Sequence, residues 1–430
     1  MKDIRMAQQL NPYVINVVLR ESGERLPLLC RRHSREPLYY PSCYAVAEVR
    51  GKGHASATIE QALRSVMVFY LVLDRLKINL INRLDDGEVL QQWELEEVLR
   101  QSRQTLRQLC LQADHGEATA DVVKPTAARR SVDGDMSVAR KSYQIRLFYI
   151  RNYLEWLIPN WIGRMRRARS PLAGPLELSM KRVSTMIQKK IPSRASRRGI
   201  SNREGLSKKA RARLLQVIEL DAPDNPWTNS HAKMRNSIMI RLLLELGCRR
   251  GELLGLRVQD IDFNTGWVRI VRKADDKTDP RRQQPLAKTL DREVVVGQDL
   301  VAQLKQYLLT YRNTFDGARK HGFLFVATGT GAPLSLDGLV KVFAALRKTC
   351  PDLPSDLSPH VLRHTWNDDF SEQADQAKLA PEEEARIRNY LMGWRQHSTS
   401  SKTYLRRHTR EAAGNALLRM QSKLTGGKVK

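Results

Sequence analysis

The stretch Gly247-Cys248-Arg249-Arg250-Gly251-Glu252-Leu253-Leu254-Gly255-Leu256, running on to Asp260-Ile261-Asp262, decides how the second half of this chain folds. Ile238-Met239-Ile240 and Leu242-Leu243-Leu244 precede it as the apolar run of a buried helix. Gly247 can end that helix by taking a positive φ. Arg249 then falls in the turn, and Glu252, with Leu253, Leu256 and Ile261, begins the next element. Glu252 is read as the support of the arginine turn, and Asp260 and Asp262 as turn and cap residues. A turn between packed helices holds a side chain more rigidly than a surface loop, and an arginine so held meets a phosphate as a planar fork. The simpler reading of this stretch alone is a helix corner with a solvated arginine.

Composition narrows the choice. A chain of 430 residues can hold two or three domains, each with its own core. Lys+Arg 73 against Asp+Glu 46 gives a formal charge of +27, an excess that suits a polyanion-binding protein and not an enzyme of small metabolites. Nucleic acid is the first partner implied, and an anionic membrane surface the second. No apolar run reaches the roughly 20 residues of a bilayer span, and Met1-Lys2-Asp3-Ile4-Arg5 lacks a signal peptide's apolar core. Cys30, Cys43, Cys110, Cys248 and Cys350 are scattered, with no CxxC pair and no Cys/His cluster at zinc spacing. The expectation is a cytoplasmic, nucleoid-associated protein with reduced cysteines, no structural metal and no membrane partner.

Taken in order, residues 1–54 form an N-terminal extension with a short strand at 13–19 and an irregular segment at 37–44. Residues 55–165 form a helical domain. Its helices begin with an apolar run at 66–73, with Thr58 and Gln61 in capping-box relation at its start, and continue at 89–111 and from Ser142 to about 163. Residues 166–205, rich in Arg and Lys and interrupted by Pro171, Gly174, Pro175 and Pro192, read as a basic interdomain linker, in parts short helix, suited to phosphate contact. Residues 206–415 make a second domain and 416–430 a tail. In that domain 267–271 and 292–296 alternate as a β-hairpin around a long polar excursion, and helices follow near 298–313, 335–349, 359–372, 381–393 and 409–421. The chain is therefore expected to be mainly α with a small β-hairpin or sheet.

Two further stretches carry chemistry. In Ser358-Pro359-His360-Val361-Leu362-Arg363-His364-Thr365-Trp366, Ser358 suits an N-cap and Pro359 the first helical position. His360 and Arg363 then share a helical face near an N-terminus that favours an anion. A histidine satisfied by a neighbouring carbonyl is the simpler account. The other stretch is Leu391-Met392-Gly393-Trp394, followed by a Ser/Thr-rich segment to Tyr404-Leu405-Arg406-Arg407. Tyr404 alone reads as a surface tyrosine.

In this order the three stretches resemble the tyrosine recombinase (phage integrase) family, across about 205–415 and more loosely the helical domain before it. Cys248-Arg249-Arg250-Gly251-Glu252-Leu253 matches its first-arginine box, and His360-Val361-Leu362-Arg363-His364-Thr365 its H-x-L-R-H-T box. Leu391-Met392-Gly393 with Tyr404 is similar to its nucleophile segment. The resemblance implies a helical core-binding domain followed by a catalytic domain. It also implies a site-specific recombinase that breaks and rejoins DNA through a 3′-phosphotyrosyl intermediate on Tyr404, serving mobile-element integration or excision. Arg249 and Arg363 would stabilise the phosphorane charge, and His360 would assist proton transfer at the tyrosine. Lys273, with Lys277 as the alternative, would protonate the departing 5′ oxygen. Trp394 stands where the family often has histidine and could donate its indole N–H to phosphate; His397 is the substitute. No cofactor or metal is implied, because the phosphotyrosine keeps the energy of the broken bond. The implied partners are double-stranded DNA with specific recombination sites, further copies as a tetramer on paired sites, and other recombinases or accessory DNA-bending proteins.

Three other readings stay open on sequence: a type IB topoisomerase-like relaxing activity, a non-catalytic DNA-binding protein on a recombinase scaffold, and a metal-dependent nuclease using Asp260, Asp262, Asp275 and Asp276.

Overall fold

A computed structural model describes residues 10–111, 138–191, 205–285, 289–395 and 417. The chain divides into two compact units, Met1–Arg198 and Gly199–Lys430.

In the first unit, β1 (Tyr13–Leu19) and β2 (Arg25–Arg31) pair antiparallel, Tyr13 opposite Arg31 and Leu19 opposite Arg25. The short helix α1 (Tyr39–Cys43) runs into a π-helical turn at Tyr44–Arg50, so the segment expected to be irregular is largely helical. The extension at 1–54 is no separate appendage, because Tyr13, Leu26, Leu29 and Tyr44 belong to the same core as the helices that follow. The central helix is α2 (Ser56–Arg75), which buries Ile59, Ala62, Leu63, Val66, Phe69, Val72 and Leu73 at the three- and four-residue spacing of one helical face. It begins with Ala55 at its N-cap, so the expected Thr58–Gln61 capping box does not form. By length and composition α2 is apolar enough to cross a membrane, contrary to the sequence expectation, but most of its apolar stretch is buried in this core.

The helical stretch expected at 89–111 breaks into α4 (Gln92–Gln101) and α5 (Leu106–Leu111), after the one-and-a-half-turn α3 (Leu80–Asp85). The long α6 (Arg140–Arg167) is followed by α7 (Ala173–Lys190). The latter corrects the reading of 166–205 as linker. Leu176, Val183 and Ile187 of α7 enter the first unit's core at helical spacing, while its basic residues face outward. Arg166 and Arg167 end α6 and Arg169 follows it, whereas Arg194, Arg197, Arg198 and Arg203 lie outside the described residues.

In the second unit, α8 (Lys208–Val217) is capped by the Ser207 hydroxyl, which accepts from the Ala210 N–H at 3.2 Å. The core helix α9 (Ser230–Leu246) ends at Gly247 with φ +57, as the sequence suggested. Then come α10 (Arg250–Gly255), β3 (Trp267–Ile270) and β4 (Arg292–Val295), the strands pairing antiparallel with Val268 opposite Val294. The bundle is completed by α11 (Gln298–Gln306), the single turn α12 (Asp316–Arg319), α13 (Leu336–Thr349), α14 (Pro359–Gln376) and α15 (Pro381–Met392). The mainly α fold with a small hairpin is confirmed, and β1–β2 adds a second hairpin. The helix expected at 409–421 lies outside the described residues, Leu417 excepted.

Two glycine caps shape the region between these helices. At Gly247 an added Cβ would lie 2.7 Å from the Trp366 ring and 2.8 Å from the Met392 methyl. Gly393, with φ +63, ends α15 and would place a Cβ 2.8 Å from Leu290 O and 2.8 Å from Thr289 Cβ. Because the Gly393 carbonyl also accepts from the Leu290 N–H at 2.9 Å, the turn cannot retreat. Gly393→Ala is expected to destabilise the second unit by about 2–4 kcal/mol, combining the left-handed backbone cost with the contact against backbone. Urea unfolding of the two proteins reads this directly; a loss below half a kcal/mol would refute the close approach.

Candidate active site

The arginine turn is built around a buried carboxylate. Glu252 has no exposed side-chain surface and stands 2.7 Å from the Arg292 guanidinium, which is also buried. Its second oxygen accepts from the Thr289 hydroxyl at 2.6 Å, and it receives the Arg249 backbone N–H at 3.0 Å. Burial pushes this carboxyl up, but the Arg292 charge and the hydrogen bonds of Arg292, Thr289 and the Arg249 N–H outweigh it. The net result is a value below the usual carboxylate range. One carboxylate thereby ties the turn at 249 to the β4 strand, and Gly393 packs on the same Arg292 side chain. The support role read for Glu252 is met, while Arg292 and Thr289 were missed. The signal was present: in the alternation of β4, Arg292 and Val294 face inward, and an inward arginine on a core strand requires a carboxylate.

Arg363 is buried on the first turns of α14 and donates to the carbonyl of Gly247 at 2.6 Å and of Met392 at 3.3 Å. Those carbonyls end α9 and α15, where the helix dipoles favour a cation. Trp394, itself buried, lies with its ring 5.4 Å from the Arg363 guanidinium carbon. His360 is exposed at the start of the same helix, its Nε2 3.2 Å from Nε2 of the buried His364. One of these two nitrogens carries the shared hydrogen, so His364 orients the His360 ring; this partner was quoted in the motif but given no role.

Arg249 is partly exposed, its Nη1 3.5 Å from Glu252 Oε1 and without a hydrogen bond among the described residues. Together Arg249, Arg250, His360 and Arg363, with Asp356, Ser358, Pro359 and Val361, line an open cavity of about 510 Å³. The structure thus brings together three of the expected site residues, Arg249, His360 and Arg363, with Trp394 against the third. Lys273 is not among them. It follows β3, with Nζ 3.5 Å from Asp260 Oδ1, and lines a separate small space with Glu252, Asp276 and Arg281. Lys277 is exposed on the same excursion. Asp260 and Asp262 act as the sequence suggested, accepting from the N–H groups of Arg257 and Asn264. Tyr404 and His397 lie outside the described residues.

Burial pushes the Cys248 thiol up to about 12, so this cysteine of the arginine box serves packing and not nucleophilic chemistry. The arrangement can hold a tetrahedral or trigonal-bipyramidal phosphate between two guanidiniums, with an imidazole at its edge.

Removing the Glu252 charge leaves Arg292 buried and unopposed. Glu252→Gln should therefore cost about 3–5 kcal/mol in urea unfolding. The folded value of Glu252 lies below its unfolded value, so the unfolded chain binds more protons. Its contribution is full above the unfolded value of about 4.3 and fades as pH falls through the folded one. In Glu252→Gln that part of the acid-induced loss should vanish; an acid limb of unchanged steepness would contradict the ion pair's role.

Part of the second unit is similar to known proteins. Residues 212–411 match the phage integrase family. Tyrosine recombinase XerD of Halalkalibacterium halodurans is 29% identical over 153 residues, 35% of this chain and 46% of that protein. Tyrosine recombinase XerD of Chlorobaculum tepidum is 28% identical over 150 residues, 34% of this chain and 43% of the relative. The chain thus spans about half the length of the curated relatives it matches. The crystal structure of the XerH site-specific recombinase bound to a palindromic difH substrate shows 14% identity, covering 80% of this chain and 93% of that one. Its TM-score is 0.38. The stretch that matches the phage integrase family, residues 212–411, contains Arg249, His360 and Arg363.

Proposed function

We propose that this protein is a site-specific DNA recombinase that cleaves and rejoins double-stranded DNA, acting in the integration or excision of a mobile element. The observation that carries the reading is the convergence of Arg249, His360 and Arg363 on one open cavity. In the proposed step the Tyr404 oxygen attacks a scissile phosphorus, a P–O(Tyr) bond forms and the P–O5′ bond breaks. Arg249 and Arg363 hold the non-bridging oxygens as charge gathers there. His360, oriented by His364, takes up the tyrosine proton, and Trp394 backs the Arg363 guanidinium. Lys273 delivers a proton to the departing 5′ oxygen, for which it must exchange Asp260 for the DNA; Lys277 is the alternative donor. Attack of a 5′ hydroxyl from the partner strand on the phosphotyrosine reverses these bond changes, so no cofactor or metal enters.

Two duplex sites contain four strands to be cut, so four protomers, each with one tyrosine, complete an exchange. We therefore propose a homotetramer on paired sites in the cytoplasm, on the nucleoid, with accessory DNA-bending proteins or other recombinases as further partners. The family assignment of 212–411 and the formal charge of +27 support DNA as the substrate.

The test is covalent trapping on a nicked duplex in the presence of EDTA. Wild type is expected to form an SDS-resistant adduct and Tyr404→Phe none. Arg249→Ala should slow adduct formation by about 10²–10³-fold, as for loss of one preorganised donor to a developing oxyanion. An adduct that persists in Tyr404→Phe would move the nucleophile elsewhere, and one that requires a divalent ion would exclude this chemistry.

A further inference from the structure

The first unit holds a cavity of about 480 Å³ unrelated to the site above. It is walled by the start of β1, the end of β2, the segment 38–41 and the C-terminal end of α2. Its volume falls in the roughly 300–1,000 Å³ range of small-ligand sites. Four tyrosines line it. Tyr13 and Tyr70 stand edge to face with centroids 6.2 Å apart, and their hydroxyls are engaged by Asp74 at 2.6 Å and Tyr153 at 2.8 Å. Tyr40 is braced by Trp161 at 5.5 Å. Tyr39 is 72% exposed, an aromatic ring at the rim with Tyr40 edge-on against it at 5.0 Å.

The charged groups are as particular. Asp74 Oδ2 accepts from Tyr13, and Oδ1 accepts no hydrogen bond among the described residues. Arg31 and Lys77 lie on the same lining. Lys77 has φ +54, at the position after α2 where the Ile78 N–H reaches back to Leu73 O at 2.9 Å. Glycine is the residue that such a helix end favours. A lysine kept there carries a backbone cost, and its ammonium makes no hydrogen bond or ion pair among the described residues. Two cations against one carboxylate disfavour a quaternary ammonium, which the tyrosines alone would suit. They favour an anionic ligand with an aromatic face and hydrogen-bond donors, which is the chemistry of a nucleotide.

We infer that this pocket binds one unstacked nucleotide, with its base against Tyr39, its phosphate at Arg31 and Lys77, and a base edge donating to Asp74. Guanine is preferred, because its N1–H and exocyclic amine are adjacent donors for Asp74, whose Oδ1 is open and whose Oδ2 keeps a second lone pair beside the Tyr13 hydrogen bond. The source is either a free nucleotide or an unpaired residue of DNA.

Calorimetric titration of the full chain with dGMP, dTMP and a thymine pentamer carrying one central guanine tests this. Guanine is expected to bind at least tenfold tighter than thymine. Tyr39→Ala, which changes no charge, should weaken binding of both bases several-fold, and Asp74→Asn should erase the preference. Lys77→Gly should weaken binding several-fold while its thermal midpoint stays level or rises, since glycine suits the backbone there. A preference seen with both probes identifies a free nucleotide, and one confined to the pentamer identifies DNA. Equal binding of the two bases, indifference to Tyr39→Ala, or tetramethylammonium binding in place of dGMP would overturn the assignment.

Discussion

The second unit depends on the buried pair Glu252–Arg292. A carboxylate and a guanidinium out of contact with water are tolerable only when each is matched and the remaining lone pairs are filled. Here Thr289 and the Arg249 N–H fill them. The consequence is geometric. The arginine turn, the second strand of the hairpin and the Gly393 turn cannot shift independently, because all three meet at this pair. Arg249 owes its place beside the cavity to that tie.

Arginine plays the same part elsewhere. Arg363 joins the ends of α9 and α15 through their carbonyls. Arg388 reaches from α15 to the Asn367 carbonyl at 3.0 Å and the Ser371 hydroxyl at 2.8 Å on α14. Arg312 gathers the carbonyls of Ala318, His321 and Phe323, and Arg281 those of Leu254 and Leu334. The forked donors of a guanidinium suit carbonyls that helices and loops leave unsatisfied. Part of the basic excess is therefore structural cement, and a charge of +27 read from sequence overstates what is offered to a polyanion. The outward residues of α7 show the other use, with their apolar neighbours packed inward.

Much of this was legible because it is local. The αL cap at Gly247, the helix start at Pro359 and the hairpin after 266 follow from residue type and period. Within 166–205 the helix Ala173–Lys190 is longer than the short helix read from sequence, for a physical reason. The segment's charge and prolines dominate the composition, yet Leu176, Val183 and Ile187 fall on one helical stripe, and packing of that stripe outweighs the polar remainder. Tyr13, Leu26 and Leu29 of the N-terminal segment join the same core, since a two-stranded hairpin gains its stability from the helix it covers.

The amino-acid sequence by itself carried the likeness to phage integrases through 212–411 and the mainly α architecture, and it singled out Arg249, His360 and Arg363, because motif spacing and periodicity are properties of the chain. Only the tertiary structure decided which groups meet. Arg292 comes to Glu252 across 40 positions, Arg363 to Gly247 across 116, and Tyr13 to Asp74 across 61. Buried charge and unsatisfied carbonyls select such partners by distance in space, to which spacing along the chain is blind.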